Sequence, residues 1–311
     1  MSETAIETAI ETVSLGKRFG AQAALEDVGL AVPAGTCLAL LGHNGAGKTT
    51  LMKLLLGLGR PTSGSVRVLG VDPAGRESGA LRRALGFLPE NIAFHDAMTG
   101  REVLGFYARL KGAAPRSGAA LLERVGLAAA ADRRAKTYSK GMRQRLGLAQ
   151  AMLGSPRLVL LDEPTTGLDP IFRASFYELI HDLTASGATV LLSSHALTEL
   201  EARTDAVAIL RQGRLVAHGT LAELRRAAAL RARIRVAVPA GSAKAFAAGL
   251  GAAARLERVN DRSVELSCAL EEKLALLRAL SGLAAPIEDI EVAPPSLDEV
   301  YAHYSGAQAA S

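Results

Sequence analysis

The chain contains no tryptophan, only seven phenylalanines and five tyrosines, and just two cysteines among its 311 residues. So few aromatic rings leave little for base stacking, and the core must be filled mainly by Leu, Val and Ala. Cys37 and Cys268 lie far apart and outside any C-x-x-C spacing, which excludes a disulfide framework and a cysteine zinc site and fits a reducing compartment. The opening residues Met1–Thr12 carry Glu3, Glu7 and Glu11 and no basic residue, the wrong charge for a secretory leader. The longest uncharged stretch, Val28–Gly47, is broken by Pro33, Gly35, Gly42, Gly45 and Gly47, so it does not form a spanning helix.

Charge is nearly balanced, with 36 Lys and Arg against 31 Asp and Glu. The small basic excess is spread among Ala and Leu and is weak evidence for nucleic acid. Phosphate-rich small ligands or acidic lipid headgroups would match it equally well, and a solvated Arg-rich surface is the simplest reading, so charge alone decides nothing. The six histidines and five methionines are scattered singly, without the clustered soft ligands of a copper carrier.

Residues 1–12 repeat Glu-Thr-Ala-Ile and are expected to form a disordered tail. From Val13 short apolar runs bounded by Gly and Pro predict strands at Val28–Val32, Cys37–Leu41 and Val66–Leu69, the middle one fully buried. Leu51, Leu54, Leu55 and Leu58 have helical spacing, so a helix over Lys48–Leu58 follows the glycine-rich turn. Residues 91–153 read as a mostly helical insertion. Runs at Leu158–Leu161, Thr189–Leu192 and Ala206–Leu210 then restore the alternation of a parallel α/β core.

A boundary is expected at 220/221, where helix Leu221–Leu230 leads into a small α+β domain. Its predicted order is strand (Arg233–Val238), helix, two strands near Leu256 and Val264, helix (Glu271–Leu280), strand (Ile287–Val292) and helix, a ferredoxin-like sequence of elements. Residues 221–311 hold eleven basic and eleven acidic side chains, which disfavours a nucleic-acid role there.

Gly42-His43-Asn44-Gly45-Ala46-Gly47-Lys48-Thr49, followed by Thr50, fits G-x-x-x-x-G-K-[ST] and lies between a predicted buried strand and a helix, as that phosphate cradle requires. Glycines let backbone N–H groups close around an anion, and the helix start adds a favourable dipole end. Lys48 brings a charge for the outer phosphates and Thr49 a hydroxyl for Mg²⁺. The strand Leu158–Leu161 ends in Asp162 and Glu163, at the carboxyl edge where α/β sheets bind ligands. Asp162 suits a metal, directly or through water, and Glu163 suits the base that polarises an attacking water. Strand alternation predicts that the two acids point to opposite sides.

Ser139-Lys140-Gly141-Met142-Arg143-Gln144-Arg145 resembles the signature sequence of ABC ATPases. Thr166-Gly167-Leu168-Asp169 resembles their D-loop, Ser194-His195 the switch histidine and Lys17-Arg18-Phe19-Gly20 the aromatic A-loop. Taken alone, Phe19 would read as a core aromatic and His195 as a buried structural histidine. Their joint occurrence in family order from Phe19 to His195 reverses that.

The resemblance implies an α/β P-loop NTPase core with a parallel sheet, an antiparallel β subdomain and a helical subdomain over about 91–153, ending near 220. It implies ATP and Mg²⁺ as cofactors. Phe19 would stack on adenine, residues 42–50 would hold the triphosphate, and Thr49 and Asp162 would share the magnesium. Glu163 would be the base and His195 would contact the γ-phosphate. Ser139, Lys140, Gly141 and Met142 would complete the site of the opposite subunit, and Asp169 would link the two sites. Glu90 stands where many members carry a glutamine; its reach to Mg²⁺ or to a water on it is left open. Tyr138, Lys140 and Met142 depart from the usual Leu, Gly and Gln of the signature.

One set of motifs per chain implies that two copies, or one copy and a similar partner, must meet; a homodimer under an integral-membrane permease is expected, with a periplasmic accessory subunit as a further partner. The implied location is cytoplasmic, peripheral on the inner membrane face. Leu88-Pro89-Glu90-Asn91, Gly42-His43-Asn44, Tyr138–Gln150 and Pro295-Ser296-Leu297-Asp298-Glu299-Val300-Tyr301 resemble the NosF-type ATPases that serve copper-site maturation of nitrous oxide reductase. The Pro-Ser-Leu-Asp-Glu ending is shared with exporter ATPases, so drug, lipid or polysaccharide export is the alternative. A soluble ATP-binding regulator is the reading from another class.

Overall fold

The computed structural model describes residues 7–114, 116–194, 197–250, 255–283 and 286–306. Two units divide the chain, 1–219 and 220–311. The first opens with β1 (Thr8–Phe19), β2 (Gln22–Pro33), β3 (Cys37–Leu41), α1 (Lys48–Leu55) and β4 (Ser63–Val68). It continues through α2 (Ser78–Ala84), β5 (Leu85–Leu88), α3 (Gly100–Lys111), α4 (Ser117–Arg124) and α5 (Lys140–Met152). After these come β6 (Leu158–Leu161), α6 (Pro170–Ala185), β7 (Thr189–Ser193), α7 (Leu197–Leu200), β8 (Ala206–Arg211) and β9 (Arg214–Gly219).

A six-stranded sheet in the order β5-β6-β7-β3-β8-β9 forms the centre. Its first five strands are parallel, and β9 closes the edge antiparallel to β8. Strand β3 is buried along its whole length, because a parallel strand in the middle of a sheet is covered on both faces and an uninterrupted apolar run suits it. A separate antiparallel sheet, β2-β1-β4, shares its apolar cluster with α1 and the central sheet through Ile10, Leu25, Val28 and Val66.

The helical insertion contains α3, α4 and α5. A capping box starts α3: the Thr99 hydroxyl accepts from the Glu102 N–H, and the Glu102 carboxylate accepts from the Thr99 N–H. Left-handed Gly112 ends it. Lys111, in its last turn, donates to the carbonyls of Leu85 at 2.8 Å and Leu153 at 3.0 Å, tying α3 to the start of β5 and to the residue that follows α5.

The tail expected over residues 1–12 is contradicted over its second part. Residues Thr8–Thr12 are the first part of β1, where Ala9, Ile10 and Thr12 are buried and the strand pairs with both β2 and β4. Residues 1–6 lie outside the described residues.

The second unit contains α8 (Leu221–Ala227), β10 (Arg231–Ala237), α9 (Ala243–Gly249), β11 (Arg255–Val259), β12 (Ser263–Ala269), α10 (Lys273–Ser281), β13 (Asp289–Ala293) and α11 (Leu297–Ser305). Its antiparallel sheet has the order β11-β12-β10-β13, the ferredoxin-like arrangement of a βαββαβ chain. Ile234, Val236, Val264 and Leu266 line one face and pack with Phe246 of α9 and Leu276 and Leu280 of α10. The Pro-Ser-Leu-Asp-Glu motif has a local physical role. Ser296 and Glu299 form the capping box that begins α11, and the Glu299 carboxylate also accepts from Arg233 at 2.6 Å.

Candidate functional site

The glycine-rich turn leaves β3 at Leu41 and enters α1 at Lys48. Gly42 is held so close to its surroundings that a Cβ there would lie 2.6 Å from the Leu210 carbonyl oxygen and 2.9 Å from Ala46 Cβ. Gly47 has φ of 108°, and a Cβ on it would meet the Ala24 carbonyl at 2.8 Å. The loop therefore wraps against its own scaffold in a path that side chains would block. Lys48 folds back beneath it, donating to the Gly42 carbonyl and more distantly, at 3.4 Å, to that of His43. Burial pushes the Lys48 ammonium below its ordinary range, while Glu163, Asp162 and Glu90 oppose that shift.

Opposite the loop, the chain leaves β6 into Asp162 and Glu163, both buried. Asp162 accepts from the Ser193 hydroxyl at 2.7 Å and from the Thr49 hydroxyl at 3.1 Å. The Glu163 N–H donates to Ser193 Oγ at 3.0 Å. Glu163 has φ of 49°, a left-handed conformation that costs on the order of 1–3 kcal/mol outside glycine.

That conformation corrects one expectation. Strand alternation put Asp162 and Glu163 on opposite sides, but β6 ends at Leu161 and the left-handed turn brings both acids to the wall of one cleft.

The cleft has a volume of about 710 Å³. His43, Asn44, Gly45, Ala46, Gly47, Lys48, Thr49 and Thr50 form one side, and Glu90, Asp162, Glu163 and Thr166 the other. Phe19 stands at its margin with Gln22, Ala23 and Ala24. Phe19 is 59% exposed, so it is no core aromatic, and the Lys17 ammonium sits 5.2 Å from its ring centre. Most of the residues selected from the sequence thus converge on one cavity. Its donor set of a hydroxyl and a carboxylate oxygen, Thr49 and Asp162, is hard and suits Mg²⁺.

The signature segment is not among the residues lining this cleft. Ser139 caps α5, its hydroxyl accepting from the Met142 N–H at 3.2 Å. Gly141 and Lys140 lie against Gly167, where a Cβ on Gly141 would come 3.1 Å from the Gly167 carbonyl oxygen. Tyr138 is buried, and its hydroxyl donates to the Ala130 carbonyl at 2.7 Å. The ring fits because position 100 is glycine; a Cβ there would lie 2.4 Å from the Tyr138 oxygen. Asp169 caps α6 by accepting from the Phe172 N–H, which holds its carboxyl below the usual range. His195 lies outside the described residues.

Sequence reasoning passed over two residues. Ser193 bridges both acids, and Gln144 of α5 donates to the Pro164 carbonyl at 3.0 Å from a buried position. The readable signal for Ser193 was the end of an apolar strand beside the acid-bearing one; for Gln144 it was a buried amide within the signature helix.

A family model described as ABC transporter matches residues 25–166. The daunorubicin resistance ATP-binding protein DrrA3 of Streptomyces coeruleorubidus is 36% identical over 313 residues, covering 96% of both chains. The chain belongs to the ATP-binding proteins of ABC transporters. The bacitracin transport ATP-binding protein BcrA of Enterococcus faecalis is 39% identical over 70% of this chain and 71% of its own. The solved structure of an ATP-binding subunit of an ABC transporter superposes with a TM-score of 0.67 at 34% identity, covering 71% of this chain and 93% of that one. This ABC ATPase accordingly binds and hydrolyses ATP as the subunit that powers a transporter. Among the described residues no helix is long and apolar enough to cross a membrane.

Proposed function

We infer that this ATPase drives export of a drug-like or peptide-antibiotic cargo through a separate permease. The observation that carries this reading is the likeness to a daunorubicin resistance protein over 96% of both chains, which takes in the second unit as well as the ATPase core. The NosF-type reading rests on short stretches within the ATPase core and on a capping box that begins α11, and none of these would touch cargo. The bacitracin relative supports the export reading.

In this reading the triphosphate lies on the loop 42–50, with Lys48 against its outer phosphates and Phe19 against adenine. Mg²⁺, held by Thr49 and Asp162, would neutralise phosphate charge. Glu163 takes the proton of the attacking water, and Ser193 keeps it and Asp162 in place. His195 contacts the γ-phosphate. The signature residues Ser139, Lys140, Gly141 and Met142 close the partner's site, so that hydrolysis needs a homodimer; Asp169 links the two halves. The ATPase sits on the inner membrane face through its permease.

Co-expression with a cognate two-component exporter permease, followed by doxorubicin and bacitracin efflux, tests the export reading. Efflux above that of Lys48→Ala supports it. Equal retention of both compounds, with copper loading of a nitrous oxide reductase dependent on Lys48, would replace it by the copper-site reading.

A further inference from the structure

A cavity of about 590 Å³ in the first unit shares no lining residue with the nucleotide cleft. Residues 60–67 form most of its wall, and Asp72, Ala74, Gly75 and Arg76 the rest. Three cationic side chains line it, Arg60, Arg67 and Arg76, against one carboxylate, Asp72. Along the sequence these arginines lie far enough apart to read as scattered charge. The turn after α1, the strand β4 and the loop that follows β4 gather them around one hollow.

The fold does not neutralise the charge it gathers there. Among the described residues the Arg60 and Arg76 guanidinium groups have no ion-pair or hydrogen-bond partner, and Arg67 donates only to the Gly70 carbonyl, at 3.1 Å. Asp72 is engaged in its own turn, its Oδ1 accepting from the Ala74 N–H at 2.9 Å, and Glu77 borders an adjoining hollow rather than this one. Three like charges around one space repel one another, and an anion placed among them reverses the sign of that interaction. The wall is also fixed in advance: the Thr62 N–H donates to the Gly16 carbonyl at 2.8 Å, and Thr62 Oγ1 accepts from the Arg18 N–H at 3.0 Å. β4 is an edge strand, and beyond the bridge of Val68 with Val71 no described strand pairs with its outer side. Unpaired backbone groups of the sheet edge therefore lie along the cavity, beside the Ser63 and Ser65 hydroxyls.

We propose that this cavity is an anion site, separate from the nucleotide cleft, that takes a phosphate-bearing ligand: a free phosphate or pyrophosphate group, or the same group on an acidic phospholipid. A guanidinium fork pairs bidentately with phosphate oxygens, and Arg60 and Arg76 each have a whole fork to give. The serine hydroxyls add neutral donors to the same oxygens. Because the wall that carries Arg60 is already held to β1, little backbone ordering opposes binding.

The test uses the full chain carrying Lys48→Ala throughout, so that the nucleotide cleft contributes equally to every comparison. Pyrophosphate in EDTA is titrated calorimetrically, and phosphatidylcholine vesicles with and without phosphatidic acid are used for co-sedimentation. The site predicts pyrophosphate binding with a dissociation constant of about 1 mM or tighter, marking a soluble ligand, or vesicle binding alone that requires phosphatidic acid, marking a headgroup. Arg60→Ser/Arg76→Ser should weaken whichever binding is seen by at least about tenfold. Neither guanidinium has a partner in the fold to lose, so this variant should keep its melting temperature. Arg82→Ser/Arg83→Ser removes two exposed charges of α2 outside the cavity and should change binding less than about threefold. Equal weakening in the two double variants would reduce the effect to diffuse basic attraction and overturn the site. Binding of neither probe, or binding that Arg60→Ser/Arg76→Ser leaves unchanged, overturns it as well.

Discussion

The Ser193 hydroxyl donates to Asp162 Oδ1 at 2.7 Å while accepting from the Glu163 N–H at 3.0 Å, so one oxygen at the end of β7 fixes both acids at the end of β6. Ser193 is fully buried and has no other route to solvent. Ser193→Ala would leave the Glu163 N–H without this acceptor, in a residue already held at positive φ. We expect kcat to fall about tenfold or more while nucleotide affinity changes little, at a stability cost of about 1–3 kcal/mol. Phosphate release set beside a fluorescent-nucleotide titration separates the two effects; equal loss of both would make Ser193 a folding residue only.

The chemistry assigned to Glu163 makes a complementary prediction. Glu163→Gln keeps the size and the backbone bond to Ser193 but cannot take a proton. Turnover should drop by about 10²–10⁴ with nucleotide binding preserved. Size-exclusion chromatography with Mg²⁺ and ATP should then show a long-lived dimer. Wild-type turnover in this variant would remove Glu163 from the mechanism.

How much of this was legible beforehand depended on whether the signal was local. The strand–loop–helix of β3, residues 42–47 and α1 could be read directly, because a continuous apolar run, three glycines and a Leu spacing lie within twenty residues. β1 could not. Its ladder slips between Thr12 and Leu15 and again between Leu15 and Lys17, and Ser14 has φ of 46°, so its buried residues lose the two-residue alternation that marks a strand. β9 was missed for another reason: no residue of it is fully buried, so its edge position leaves no apolar run. Ser193 belongs to a pairing, Leu161 with Leu192, that only the parallel sheet creates. The shared orientation of Asp162 and Glu163 depends on a backbone dihedral that no residue type announces.

Close approach, rather than flexibility, sets the glycine requirement at position 42. A methyl group there would lie 2.6 Å from the Leu210 carbonyl oxygen, and the backbone of β8 has no room to retreat inside the central sheet. Gly42→Ala should therefore displace the loop and weaken ATP binding by at least about tenfold. Gly187 is the control. Its φ is 92° but a Cβ there would meet nothing within 4 Å, so Gly187→Ala should cost about 1–2 kcal/mol of stability and leave ATP affinity unchanged. Isothermal calorimetry and thermal melts of the two variants distinguish these outcomes.

Lys111 predicts a pH dependence of stability. Burial lowers its ammonium to about 8, from 10.5 for the free side chain. Below about pH 8 the ammonium is charged in both folded and unfolded chains, and the folded state bears the full penalty of burying it. Between about 8 and 10.5 the folded protein has released the proton while the unfolded chain still holds it, so stability rises with pH across that window. The neutral amine can still donate to the carbonyls of Leu85 and Leu153. Lys111→Met removes both the charge and the two hydrogen bonds, the latter at a cost that does not vary with pH. The melting temperature of the wild type relative to Lys111→Met should therefore climb by a few degrees between pH 7.5 and 10. A difference that stays flat, or falls, over that range would mean that the ammonium is not desolvated where α3 meets β5.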